Sequence, residues 1–133
     1  MNSFQGNIYD LQTSGNISIV SVLIGTETYL KAVVIDTIET APHLKKDQSI
    51  KVLFKETEVV IGLDTNVKIS LQNKIKGTLL RIEKGVLLSR LIILTEIGEV
   101  ISVISTEAVD QLSLKEGSVV TAMVKLNEVI LSK

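Results

Sequence analysis

The chain repeats itself. Displaced by about 70 residues, its first half falls on its second, with apolar positions in step over nearly the whole length. Lys55-Glu56-Thr57-Glu58-Val59-Val60-Ile61 lies over Lys125-Leu126-Asn127-Glu128-Val129-Ile130-Leu131. Leu44-Lys45-Lys46-Asp47 lies over Leu114-Lys115-Glu116-Gly117, and Ala32-Val33-Val34 over Ser102-Val103-Ile104. One further residue of displacement sets Asn2 and Gly6 on Asn73 and Gly77, and Ser18 and Leu23 on Ser89 and Leu94. Shared alternation is common among β-rich segments; a shared order of Asn-x3-Gly, Leu-Lys and Lys-x2-Glu-Val landmarks is not. The chain therefore reads as a tandem duplication, with one module over residues 1–63 and a second over 68–133. The stretch between them, Leu63-Asp64-Thr65-Asn66-Val67, is short and polar and leaves the modules little freedom to separate.

Within each copy the pattern is that of short strands. The apolar content, 45% of the chain, is nearly all Ile, Val and Leu, and branched side chains suit a pleated surface better than a helix. In the second copy strands are expected over Ile75–Ile82, Val86–Leu94, Val100–Ser105, Ser118–Lys125 and Glu128–Leu131, with turns at Lys84-Gly85, Ile97-Gly98 and Leu114–Gly117. Thr106 to Leu112 has helical spacing, with Val109 and Leu112 on one face and Ser105 and Thr106 competing as N-cap. The first copy repeats this with turns at Ser14-Gly15 and Gly25, but Pro42 falls where the helix should end, so the helix there is expected to be short or irregular. The fold class is all-β: two tandem OB-like five-stranded small barrels, each with one short helix. Modules so small cannot bury much surface alone, so the copies, and several chains, are expected to pack together.

Several functions are disfavoured. A formal net charge of −1 and only four aromatic residues (Phe4, Phe54, Tyr9 and Tyr29) suit neither nucleic acid nor an anionic membrane. The chain has no cysteine, so no disulfide, thiolate metal site or cysteine nucleophile. No leader or long apolar run is present, which makes the cytoplasm the expected compartment. His43 is the single histidine and reads as a solvated loop residue. Gly85, Gly98 and Gly117 lack phosphate-loop spacing. Glu56 and Glu58 read as solvent-facing positions of an alternating strand. No nucleophile–base pairing supports an enzyme.

The second copy also carries an ordered set of landmarks. Lys68-Ile69-Ser70-Leu71-Gln72-Asn73-Lys74-Ile75-Lys76-Gly77 resembles the K-I-S-A-R-N-x-x-x-G opening of the Mop/TOBE domain family. Ser102-Val103-Ile104-Ser105-Thr106-Glu107-Ala108-Val109 resembles its A-V-V-T-x-E-S-V segment, and Leu112-Ser113-Leu114-Lys115-Glu116-Gly117 its L-G-L-K-E-G turn. Val124-Lys125-Leu126-Asn127-Glu128-Val129-Ile130-Leu131 is similar to I-K-A-S-x-V-I-L. The resemblance covers residues 68–132 and, more weakly, 2–62. With the duplication, it is to a tandem (di-Mop) molbindin. It implies a homo-oligomer, a trimer favoured over a dimer, that binds molybdate or tungstate between modules without catalysis. The alternative is a structural or regulatory oligomerisation module in which oxyanion binding is weak or lost. With no helix-turn-helix segment and no G-x4-G-K-[ST] loop, the chain is expected to act alone.

The resemblance implies oxyanion contacts at Ser70, Gln72 and Asn73, at Ser105 and Ala108, and at Lys125, Leu126 and Asn127. From the first copy only Lys55 and Thr57 survive. None of these is expected to ligate a metal cation directly. A tetrahedral dianion needs convergent N–H and O–H donors with a cation nearby and no carboxylate in contact. The set Ser70, Gln72, Asn73, Ser105, Lys125 and Asn127 meets that requirement, and a helix from Thr106 would add its N-terminal amides. Each residue also has a structural reading: Lys125 as the guard of an edge strand, Ser70 and Asn73 as turn caps, Ser105 as a helix cap. Gln72 stands where the family has arginine, and Ala108 where it has a hydroxyl. In the first copy the opening segment is missing and Ile35 and Ile38 occupy the hydroxyl positions. Competent binding is therefore expected to draw on the second copy. With Lys125 as its only cation, this set should bind molybdate more weakly than one that keeps the arginine. Calorimetric titration should find Gln72→Arg tighter by about tenfold, and nanomolar binding by the unaltered chain would contradict the expectation.

Overall fold

Alternation decides the strands. In Ile17–Ile24 every second residue is buried, from Ser18 to Ile24, the period of a sheet with one face on a core. The computed structural model describes residues 1–63 and 66–133; Asp64 and Thr65, in the middle of the expected linker, lie outside the described residues. The first copy forms β1 (Asn2–Ser14), β2 (Ile17–Ile24), β3 (Thr28–Val34), β4 (Ser49–Phe54) and β5 (Val60–Gly62). The second forms β6 (Asn73–Lys84), β7 (Leu88–Thr95), β8 (Gly98–Ser105), α1 (Thr106–Gln111), β9 (Val119–Val124) and β10 (Ile130–Ser132). Both copies carry a register shift at the same place, between Ile8 and Asp10 and between Leu79 and Arg81. The change of displacement along the repeat has a local cause. Three residues separate the paired Ile24 and Thr28 in the first copy, and two separate Thr95 and Gly98 in the second.

The last strand of each copy leaves its own sheet. The two sheets are five-stranded and antiparallel, ordered β10-β4-β1-β2-β3 and β5-β9-β6-β7-β8. Ile130, Leu131 and Ser132 pair with Leu53, Val52 and Lys51 of the first copy. Val60, Ile61 and Gly62 pair with Met123, Ala122 and Thr121 of the second. Each expected barrel is thus a curled, open sheet completed by the other copy. The crossings are made by one-turn 3₁₀ helices, Glu56–Glu58 and Leu126–Glu128. Glu56 and Glu58 therefore belong to a turn and are half-buried, not solvent-facing positions of a strand. The strand expected from Glu128 starts at Ile130 for the same reason.

The two sheets share one core. Ile8, Val20, Val22, Leu30, Ile50, Val52 and Phe54 of the first copy pack in one cluster with Ile75, Leu79, Leu91, Ile93, Val100, Val120 and Val124 of the second. Each such side chain contributes about 1.5–3 kcal/mol on burial, and neither sheet alone could shield its own set. The short helix expected in each copy forms only in the second. Ser105, not Thr106, caps it, its hydroxyl oxygen accepting from the Ala108 amide at 3.0 Å. In the first copy the Thr40 and Ala41 amides both donate to the Thr37 carbonyl, at 3.1 and 2.7 Å. Pro42 follows with no N–H to continue the turn.

The Asn-x3-Gly landmark has a structural meaning in both copies. The buried Asn73 accepts from the Lys31 amide (2.7 Å) and donates to the Lys31 carbonyl (2.9 Å). Asn2 does the same with Ile101, at 2.8 and 2.9 Å. Each asparagine therefore occupies both backbone groups of one residue on the other copy's edge strand. The glycines stand where strands crowd: a Cβ on Gly6 would lie 2.6 Å from the Leu23 carbonyl oxygen, and one on Gly77 2.7 Å from that of Leu94. Asn2→Ala and Asn73→Ala should each cost about 1–3 kcal/mol by stranding an amide and a carbonyl. Urea denaturation should show one transition for both copies, shifted whichever clamp is removed; two separable transitions would contradict the shared core.

Candidate functional site

The exchange of end strands decides which candidate residues meet. Asn73 pairs with Val124 where β6 begins and β9 ends, so Gln72 and Lys125 leave the sheet side by side. Ser70 and Gln72 lie in an exposed stretch before β6, which the Lys74 ammonium ties by donating to the Val67 carbonyl at 3.0 Å. Lys125 and Asn127 are exposed, Leu126 half-buried, and the Leu126–Glu128 turn packs on β3 of the first copy. Gln72, Lys125 and Asn127 therefore lie at a seam whose other wall is first-copy chain, with Ser70 two residues upstream of Gln72. Downstream of that wall stand Ile35 and Ile38, 75% and 52% exposed, with no hydroxyl to offer.

The second seam is assembled the other way round. The Glu56–Glu58 turn packs on β8, fixed there by the Ser102 hydroxyl, which donates to the Val59 carbonyl at 2.8 Å. Lys55 and Thr57, both exposed, thus stand against the strand that ends in Ser105. Beside Ser105 is a groove of about 510 Å³ lined by Val86, Leu87, Thr106, Glu107 and Asp110. The Ser105 oxygen is used as the helix cap, but its hydrogen remains available to donate. Thr106 is committed: its hydroxyl donates to the Gly85 carbonyl at 2.8 Å and shares a 2.8 Å bond with Ser89. The candidates thus fall into two groups, Ser70, Gln72, Lys125 and Asn127 at one seam and Lys55, Thr57 and Ser105 at the other. Asn73 lies between the copies with its oxygen and amide group both engaged by Lys31.

The comparisons with known proteins follow the same architecture. The TOBE domain model matches residues 69–131. The cytoplasmic molybdate-binding protein ModG, in a crystal form with molybdate bound, is 30% identical. It aligns over 98% of this chain and 94% of its own with a TM-score of 0.90. The chain belongs to the Mop/TOBE family. Two shorter proteins, MopII from Clostridium pasteurianum and a molybdate-binding protein from Sporomusa ovata, are each 34% identical over 44% of this chain and 88% of theirs, with TM-scores of 0.42 and 0.43. No curated protein matches.

Within this Mop/TOBE chain one functional candidate escaped the sequence reading. Arg90, on β7, brings a guanidinium to the second seam, its Nε 3.6 Å from a Glu56 oxygen and its Nη1 donating to Glu83 at 3.2 Å. The resemblance did not reveal it because it lies outside the family's landmark segments. Its signal was the repeat itself, which sets Arg90 over Ile19.

Proposed function

We propose that this chain binds molybdate or tungstate without catalysis, at the seams between its copies, and holds it as a cytoplasmic store. The observation that carries this reading is the ModG match, which spans both copies rather than one and is to a protein with molybdate bound. The chemistry of the seams agrees. Ser70, Gln72, Asn127 and Lys125 on one side, and Lys55, Thr57 and Ser105 on the other, offer hydroxyl, amide and ammonium donors to a tetrahedral dianion. ModG is described as cytoplasmic, and among the described residues no helix is long and apolar enough to cross a membrane.

The working unit in this reading is a homo-oligomer, a trimer before a dimer. Val86, Leu87 and Leu88 form an apolar hairpin tip 94%, 79% and 60% exposed, surface of the kind that another chain covers. A second reading, a structural or regulatory oligomerisation module with weak binding, is favoured by one observation: Ile35 and Ile38 occupy the two hydroxyl positions of the first copy's middle segment.

Calorimetric titration of the oligomer, its mass fixed by light scattering, separates the two. Saturable molybdate uptake, displaced by tungstate and weakened about tenfold or more in Lys125→Gln, is the expected result. Absence of heat, with no rise in melting temperature at millimolar molybdate, would leave the structural module.

A further inference from the structure

The geometry points to Arg90 as a residue that contacts the oxyanion at the seam between β8 and the Glu56–Glu58 turn, with Glu56 as the carboxylate that holds it when no anion is present. This rests on the oxyanion reading above.

Register places Arg90 at that seam. It pairs with Val103, and Leu88 pairs with Ser105; opposed residues in an antiparallel pair project from the same face, as do residues two apart on one strand. Arg90 and Ser105 therefore share a face as diagonal neighbours, with Cα atoms about 7–8 Å apart, within the span of an arginine side chain. From the other copy comes Glu56, one oxygen of which lies 3.6 Å from Arg90 Nε while the other accepts from the Met1 ammonium at 3.1 Å. Glu56 is flanked in sequence by Lys55 and Thr57, whose side chains have no partner among the described residues. A guanidinium has five N–H donors, and Arg90 directs only Nε and Nη1 at carboxylates. The rest of the fork, the Ser105 hydroxyl, the Lys55 ammonium and the Thr57 hydroxyl supply the donors and double positive charge that a dianion requires. They also bring a guanidinium to this seam, whereas Gln72 leaves the other seam without one.

The repeat provides an independent reason to assign Arg90 a ligand. At the equivalent seam its place is taken by Ile19 and that of Glu56 by Leu126. Both equivalent positions are thus aliphatic, so the repeated fold does not itself require a charge there, and a half-buried ion pair is seldom more stabilising than apolar packing. Glu83 and the Met1 ammonium also flank this pair, at 3.2 and 3.1 Å; a guanidinium kept in such a cluster at one seam and not the other is accounted for when a tetrahedral oxyanion takes the place of Glu56 beside it.

A pure staple and an anion ligand predict different mutants. Molybdate titration of the full chain should find Arg90→Gln weaker by about tenfold or more. Glu56→Gln should bind at least as tightly as the unaltered chain, since it removes a competing negative charge. Lys115→Gln, which loses an exposed lysine whose side chain has no partner among the described residues, is the charge control and should change affinity by less than about twofold. If Arg90→Gln leaves affinity unchanged while the unaltered chain binds, the assignment is wrong and the oxyanion reading stands. If Arg90→Gln and Glu56→Gln weaken binding alike, the pair is only a staple between copies, and the assignment is again overturned. Should Arg90→Gln fail to fold, Glu56→Gln decides alone: weaker binding refutes the proposal and tighter binding supports it. An unaltered chain that takes up neither molybdate nor tungstate removes both the reading and the assignment.

Discussion

The exchange of β5 and β10 is the constraint on which the rest of the structure depends. Three-residue strands contribute few backbone hydrogen bonds, yet these two close the open edges of β9 and β4. They also carry the chain across, so that one apolar cluster serves both sheets. The far edges, β8 and β3, are met by asparagine side chains that act as a single further rung, Asn2 on Ile101 and Asn73 on Lys31. Each copy's own four strands are thus met at both margins by the opposite copy, while β5 and β10 become the outer edges, each only three residues long, which limits unwanted pairing with other chains. A module of about 60 residues is marginal alone; two that share a core and exchange edges are expected to unfold together.

That exchange also determines where the proposed anion contacts would sit. Because each crossing turn packs on the other copy's third strand, the lysine that precedes it, Lys55 or Lys125, is carried to a boundary rather than into either sheet. Donors from both halves are then brought together there without being neighbours in sequence. The duplication has diverged at these boundaries while the core positions stayed apolar. One seam keeps Ser70, Gln72, Lys125 and Asn127 but faces Ile35 and Ile38. The other keeps Ser105, Lys55 and Thr57 and has gained Arg90 with Glu56.

Much of this was legible in the sequence, and what was not has physical causes. Alternation placed the central strands, as at Ile17–Ile24, and Pro42 marked where a helix could not continue. The Asn-x3-Gly landmark identified Asn2, Gly6, Asn73 and Gly77 without revealing that the asparagines reach across the copies, since nothing local encodes a side chain's distant backbone partner. Strand exchange was hidden because Val60–Gly62 and Ile130–Ser132 have the same pattern, so either could complete either sheet. The cap fell to Ser105 rather than Thr106 because the Thr106 hydroxyl is held by Gly85 and Ser89, contacts that depend on the hairpin turning back beside it. The grouping of Ser105 with Lys55 rather than with Lys125 follows from the exchange and was illegible for the same reason.

Anomalous diffraction from crystals grown with tungstate tests most directly whether oxyanion chemistry belongs to these boundaries. Tungsten density is predicted at a seam between copies, with donors from both halves at hydrogen-bond distance, about 2.7–3.2 Å, from its oxygens. The donors expected are Lys125 with Ser70, or Lys55 with Ser105 and Arg90. Density confined to one sheet's outer face, or none at a tungstate concentration that saturates binding in solution, would contradict it.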